Sequence, residues 1–500
     1  MFSTIKSATI SGIHAYQIDV EIDSKRGLPM EHIVGLPDTV IKESKARIKT
    51  AIKNSGFDYN IRQYTINLAP ADLPKEGVYF DLAIAVGLLI CNDQITVPTD
   101  TFFIGELSLN GDIKPVKGIL SICEMVAKST IKRIVVPYEN RNEAALIKDI
   151  TIIPIKKLIQ LVSLDYLTSY TSSTPLNLKP TQSPQDFQDV KGQHVAKRAL
   201  EIVAAGYHNI LLVGPPGSGK SMLLQRLNTI MPPLTYNQAI ETIKIKSITT
   251  ATHSLTPSTQ RPFRSPHHTI SYAGLVGGGK KPLPGEISLA HNGILFLDEL
   301  PEFNRQSLEV LRQPLENGNV TITRANQSIT YPAQFLLVAA MNPCPCGYAT
   351  DTAVECSCSI HERKRYIKKL SGPLLDRFDI IIEIPRLKKQ EYSASTTTSE
   401  TSKTIAKRVK AAIKQQHQRY QTTQQNGIIA AHLLQKNIQL SSTQKDLLGH
   451  LIETGKLTNR SCDKTIKVAQ TIADLQQAPT ITDQHLGEAL HYRQSLSYLT

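Results

Sequence analysis

At 500 residues and 41% hydrophobic content, the chain exceeds one ordinary domain and is too apolar to be disordered; about three domains are expected. Its 56 Lys and Arg against 43 Asp and Glu leave a net charge of +13, which favours a polyanionic partner such as nucleic acid or nucleotide. No apolar run approaches the roughly 18 to 20 residues of a spanning helix, and the start lacks a secretory signal's apolar core, so a soluble cytoplasmic protein with no membrane partner is expected.

In chain order, ATISGIHAYQIDVEI (8–22) alternates as a strand does, while VIKESKARIKTAIKNSG (40–56) spaces Ile41, Ala46, Ile48 and Ile52 along one helical face and stops at Gly56. Leu82 to Cys91 is the longest apolar run and reads as a buried core segment. LTSYTSSTPLNLKPTQSPQD (167–186) and YSASTTTSETSK (392–403) are polar, lack apolar periodicity and read as linkers. They delimit an N-terminal unit (1–166), a central unit (187–391) and a C-terminal unit (404–500). In the central unit the runs NILLVG, GILFLDE, FLLVAAMN and DIIIEIP lack alternation, as parallel strands buried on both faces do. That predicts an α/β nucleotide-binding core. The last unit is helical by its apolar steps in 465–476 and 485–496.

Gly214-Pro215-Pro216-Gly217-Ser218-Gly219-Lys220-Ser221 fits the phosphate-binding loop G-x-x-x-x-G-K-[ST] at every position, and it follows a predicted strand. Glycines let backbone N–H groups close around phosphates, Lys220 reaches the β and γ phosphates of ATP, and the Ser221 hydroxyl is expected to ligate Mg2+. Asp298, ending the strand ILFL, is expected to share the Mg2+, with Glu299 polarising the attacking water. Asn342 ends a third strand, where an amide helps to position that water. Arg377 in SGPLLDRFD offers a charge for the transferring phosphoryl group, or else an ion pair with Asp376 or Asp379. Arg460 is a candidate helical-lid contact to the nucleotide.

Seven cysteines suit one local thiol site in a reducing compartment. Cys344, Cys346, Cys356 and Cys358 form two C-x-C pairs that either bind a structural Zn2+ or remain reduced thiols; Cys91, Cys123 and Cys462 read as core. The long segment between the two nucleotide motifs is glycine-rich and carries Arg261, Arg264, Lys280 and Lys281, which suits flexible loops gripping a phosphate backbone without base readout. His267 and His268 read as loop-ordering residues, because adjacent side chains seldom converge on a metal. HERKRYIKKL (361–370) is either a nucleic-acid contact or a solvated helix face, and the solvated face is the preferred reading.

GPPGSGKS, GILFLDE, Asn342 and LLDRFD together resemble an AAA+ ATPase of the magnesium-chelatase and MCM-like branch. FRSPHHTISYAGLVGGG, PLPGEISLAHNGILFLDELPEF, NPCPCG and GLPDTVIKESKARIKTAI narrow the resemblance to the ComM/YifB family, over essentially the whole chain. The resemblance implies Walker A (Lys220, Ser221) and Walker B (Asp298, Glu299) motifs, with Asn342 as sensor 1, Arg377 as arginine finger and Arg460 as sensor 2. It further implies a homo-hexameric ring that drives branch migration of DNA, single-stranded, duplex or branched, in natural transformation, with recombination proteins as partners. LPKEGVYFDLAIAVGLL and GELSLNGDIKPVKGILSICEM resemble the Lon-type protease segments that carry its serine and lysine. Here Val78, Tyr79, Phe80 and Asp81 stand near the serine position and Leu120 at the lysine position. A Ser–Lys dyad needs both groups, so this domain is expected to be non-proteolytic. The rival expectation is a chelatase- or MoxR-like ATPase that remodels proteins.

Overall fold

The alternation at the start of the chain folds as a hairpin of β1 (Phe2–Ser11) and β2 (His14–Lys25), paired antiparallel from Phe2 opposite Asp23 to Ser11 opposite His14. Ile18, Val20 and Ile22 point into the core while Asp19, Glu21 and Asp23 face away. In this computed structural model the described residues are 1–28, 30–60, 62–75, 77–166, 168–170, 184–249, 258–279, 282–324, 327–387 and 400–493. Contacts gather them into two units.

The first unit comprises Met1–Leu178, Tyr236–Ser258 and Ala325–Tyr331. Its sheet adds β3 (Met30–Val34), β4 (Gln63–Ala69), β5 (Thr101–Phe103), β6 (Arg133–Pro137) and β7 (Thr151–Ile155), in the order β3-β4-β2-β1-β5-β6-β7. The helix Thr39–Asn54 starts where the Asp38 carboxylate accepts the Ile41 N–H at 2.9 Å. It buries Ile41, Ile48 and Ile52 as the sequence implies, but Ala46 is exposed. Ser44 takes the inward place, its hydroxyl donating to the Ile41 carbonyl at 2.8 Å. The apolar run is the helix Asp81–Cys91, buried along its length except at Ile90; enclosed on all sides, it needs no polar face.

One element of this unit comes from far along the chain. The helix Tyr236–Thr249 follows the phosphate-loop segment in sequence, inside the stretch read as the central unit, yet its Ile240 and Ile243 bury against Leu120 and Leu146. Lys244 pairs with Glu124, and the Tyr236 hydroxyl donates to the Leu146 carbonyl. Ile240 and Ile243, three residues apart, lie on one face of the helix and so bury together.

The second unit comprises Lys179–Thr235, Thr259–Arg324 and Pro332–Thr500. Its strands β8 (Ile210–Val213), β9 (Phe263–Arg264), β10 (Ile294–Leu297), β11 (Leu336–Met341) and β12 (Ile380–Glu383) run parallel in the order β9-β10-β11-β8-β12. Every residue of β8, β10 and β11 is buried, which explains their unalternating sequences. The helices Ser402–Tyr420, Asn459–Leu475 and Asp483–His491 pack their apolar stripes (Ile405, Val409, Val468, Ile472, Leu486) into the same core as the strands. Of the two linkers, residues 167, 171–183 and 392–399 lie outside the described residues. Among the described residues no helix is long and apolar enough to cross a membrane.

Candidate active site

Ligand sites of parallel sheets form beyond the carboxyl ends of the strands, and Lys220, Ser221, Asp298 and Asn342 meet there. The chain leaves β8 at Val213, turns through 214–219 and enters the helix Lys220–Arg226. Gly219 sits at φ +88°, a left-handed conformation in which a side chain would be strained. The Lys220 ammonium donates to the carbonyls of Gly214 (2.7 Å) and Pro215 (2.9 Å) and to Asn342 Oδ1 at 3.3 Å. Thus the loop's lysine and the tip of β11 are joined directly. Burial pushes the Lys220 pKa down to about 8, against the opposing pull of Asp298.

The Ser221 hydroxyl donates to Asp298 Oδ2 at 2.7 Å, so the two candidate Mg2+ ligands already share one locus. A hydroxyl and a carboxylate are hard oxygen donors of the kind Mg2+ takes. Glu299 holds a left-handed backbone (φ 52°), its N–H donating to Asp298 Oδ1 at 3.0 Å. This places two adjacent carboxylates in different environments, Asp298 turned to Ser221 and Glu299 exposed.

The loop after β9 supplies a contact that sequence reasoning missed. His268 Nδ1 lies 3.3 Å from Glu299 Oε2, and its ring meets Phe303 edge-on with centroids 6.4 Å apart. His267 stacks on His268 at 4.1 Å and bonds Thr269 instead. The only available signal was a pair of histidines shortly after a short strand, which does not say which carboxylate they face.

Arg377 and Arg460 form a second cluster. Both guanidiniums bond Glu316 Oε1, Arg460 at 3.1 Å. The ion pair considered for Arg377 therefore exists, but with Glu316 in place of its sequence neighbours. Asp379 is taken by Lys464 (2.8 Å) and the Asn209 N–H (2.9 Å), and Asp376 faces Arg493 at 3.9 Å. Arg377 is only 5% exposed; burial first, then repulsion from Arg460, lowers its pKa from the ordinary value. Desolvation pushes the Glu316 carboxyl up, but the combined pull of Arg460 and Arg377 outweighs it and holds the group below its usual range. Among the described residues neither arginine bonds the phosphate loop of its own chain.

The four candidate polyanion contacts fare differently. Arg261 is a correction: it is buried, its Nε donating to the Pro232 carbonyl (2.8 Å) and its NH1 to the Asn292 carbonyl (2.7 Å). Those two bonds engage the buried guanidinium in splinting the start of β9. Arg264 makes a bidentate pair with Glu286 at 2.5 and 2.6 Å, which neutralises it. Lys280 and Lys281 lie outside the described residues. In the run 361–370 only Tyr366, Ile367 and Leu370 are buried, so it presents a solvated face, and its Arg365, Lys368 and Lys369 line a recess with Arg305.

Cys344, Cys346, Cys356 and Cys358 converge, their sulfurs all within 4.8 Å of one another. Cys91 and Cys123 are buried, and Cys462 is half-buried against the core.

Known families cover most of the chain. That described as magnesium chelatase, subunit ChlI, matches residues 186–392, its C-terminal family matches 399–493, and a family described as subunit ChlI of Mg-chelatase matches 20–140. The uncharacterized protein YifB of Escherichia coli K12 is 42% identical over 499 residues, 98% of this chain and 97% of YifB. Competence protein ComM of Haemophilus influenzae is 40% identical over 502 residues, 98% of this chain and 97% of ComM. A Lon protease of Syntrophomonas wolfei is 23% identical over 180 residues, 35% of this chain and 22% of the protease.

Proposed function

This chain belongs to the ComM/YifB family of magnesium-chelatase-like AAA+ proteins, and from that premise we propose that it is an ATP-driven motor that remodels branched DNA. The observation that carries the reading is the joining of Lys220 to Asn342 and of Ser221 to Asp298 at the ends of neighbouring parallel strands. Phosphoryl transfer asks of a protein mostly positioning and charge. The 214–219 backbone and Lys220 grip the β and γ phosphates; Asn342 and Glu299 orient the water. Ser221 and Asp298 would hold Mg2+, which supplies neutralisation of charge on the phosphate oxygens. Arg377 acts on the nucleotide of a neighbouring copy, in a ring read as a hexamer, and Arg460 acts from the C-terminal lid.

The relative named a competence protein supports a role in integrating incoming DNA during natural transformation, by branch migration and beside recombination proteins. Lys280 and Lys281 are the proposed channel contacts to DNA, with Arg305, Arg365 and Lys368 as further exposed cations. We read 1–166 as a Lon-like fold without a proteolytic centre. Leu120 is buried against Ile240 and Ile243, and Asp81 is buried against Arg47 at 2.8 Å. The chelatase matches favour a second reading, a protein-remodelling ATPase. Turnover of the purified full chain with single-stranded, duplex and four-way-junction DNA, and with an unfolded protein, separates the two. Stimulation by DNA is expected; stimulation by the unfolded protein alone would establish the rival. Mass photometry with ATP, Mg2+ and DNA is expected to give a hexamer, and a lone subunit there would end the motor reading.

The lowered Lys220 pKa gives a pH dependence. Below about 8 the ammonium is charged in the free protein and meets the phosphates directly. Above it the lysine is neutral, and nucleotide binding must take up a proton to restore the charge. Nucleotide Kd is therefore expected to rise by up to about tenfold per pH unit between about 8 and the ordinary lysine value near 10.4. Titration with a fluorescent ATP analogue reads this, and Lys220→Arg should flatten the dependence. An affinity indifferent to pH across that window would overturn the lowered Lys220 pKa.

A further inference from the structure

Residues 342–359 contain neither helix nor strand, although they follow directly on β11 and its terminal Asn342. An irregular stretch of that length inside a packed unit needs cross-links to hold one shape. Besides the Lys220–Asn342 bond at its start, it is tied by Arg386, whose Nε and NH2 both donate to Asp351 Oδ2 at 3.0 and 2.8 Å. The remaining device is the thiol cluster. Cys344 Sγ lies 3.3 Å from Cys346 Sγ and 3.6 Å from Cys356 Sγ, and Cys346 and Cys356 are 3.4 Å apart. The Cys346 N–H donates to Cys358 Sγ at 3.4 Å, a bond that favours a thiolate.

These separations discriminate between chemistries. A disulfide needs about 2.05 Å and joins sulfurs in pairs. Here three sulfurs, of Cys344, Cys346 and Cys356, each have two near neighbours, and all four lie within 4.8 Å. A tetrahedral metal with bonds of about 2.3 Å to sulfur spaces its ligands about 3.8 Å apart. Four thiolates with no oxygen or nitrogen donor select Zn2+ among the common closed-shell ions and leave no open coordination position.

The cluster also abuts the phosphate loop. Gly347, at φ +88°, passes so close to Pro216 that a Cβ there would lie 2.7 Å from two of its ring carbons. Two residues before the first cysteine, Asn342 accepts the Lys220 bond at 3.3 Å.

We propose that Cys344, Cys346, Cys356 and Cys358 bind one structural Zn2+, and that this knuckle braces both Pro216 and Asn342 in the nucleotide site. Binding displaces the thiol protons to solvent and involves no redox change. The zinc site stands apart from the ATPase reading; only the brace rests on it.

The full chain, purified without metal-affinity resin or chelator, is expected to contain about one zinc per chain by elemental analysis. A mercurial titrated onto the thiols should release that zinc to a chromogenic chelator. Cys356→Ser with Cys358→Ser should abolish the content and lower ATP turnover by about tenfold, with nucleotide Kd little changed; if that variant fails to fold, the wild-type titration still decides the metal. Absence of zinc with all seven thiols free, iron in its place, or a disulfide by mass mapping would each overturn the site. Zinc present but turnover unmoved by its loss would overturn the brace. Zinc present in a chain that hydrolyses no ATP would uphold the metal and discard the ATPase reading.

Discussion

Replacing Arg377 by alanine is expected to lower ATP turnover by about 10³-fold while leaving the nucleotide Kd within about twofold. The expectation rests on what Arg377 touches. Its partner is Glu316, shared with Arg460, and among the described residues nothing joins it to the phosphate loop of its own chain. An arginine so placed contributes when it faces another copy's nucleotide, where charge develops as the phosphoryl group leaves. Truncation leaves the Glu316 carboxylate with Arg460 and with water, since its side chain is 44% exposed, so the fold should survive. The thermal midpoint checks this. Arg377→Lys, which keeps the charge but not the planar fork, should fall between. The sharper test is to mix two inactive chains. A ring of Arg377→Ala and Glu299→Gln subunits contains interfaces where an intact water-orienting site meets an intact arginine. With random assembly and independent sites, these are about a quarter of the total, and turnover should recover to about that fraction. No recovery above the separate variants would refute action between neighbours.

What the sequence discloses about this molecule depends on whether the signal is local. The phosphate loop, the strand-end carboxylates and Asn342 are each written in contiguous residues, because a tight turn after a buried strand has few alternatives. The four unalternating strands are legible for the same reason, and they pair in one parallel sheet. Position across the chain is not legible. Nothing in the composition of 236–249 says that Ile240 and Ile243 bury beside Leu120 and not against the sheet they precede. Arg261 counts as a surface cation in any tally of charge, yet two carbonyls close around it. Glu316 sits in an ordinary helical run, and only folding brings two arginines onto it. Apolar spacing also misassigned Ala46, since a serine can occupy an inward position by bonding the preceding turn.

Glu299→Gln is expected to reduce turnover by about 10² to 10⁴-fold and to leave ATP bound, since an amide keeps the size of the carboxylate but cannot accept a proton from water. The structure adds a condition on how Glu299 works. Its exposed side chain sits on a left-handed backbone, and the contact that orients it is His268 Nδ1 at 3.3 Å, on the loop that follows β9. That loop continues through the glycine-rich segment toward Lys280 and Lys281, the proposed grip on DNA. In the proposed motor, a pull on the segment therefore has a physical route to Glu299, the carboxylate proposed to orient the water. His268→Ala should lower kcat with nucleotide affinity unchanged, and it should weaken stimulation by DNA more than the basal rate. The two residues act as one unit in this account, so their effects cannot add. In the Glu299→Gln background, His268→Ala should cost almost nothing further. Equal loss in both backgrounds would show that His268 acts independently of the carboxylate, and the coupling of DNA to hydrolysis would then need another path.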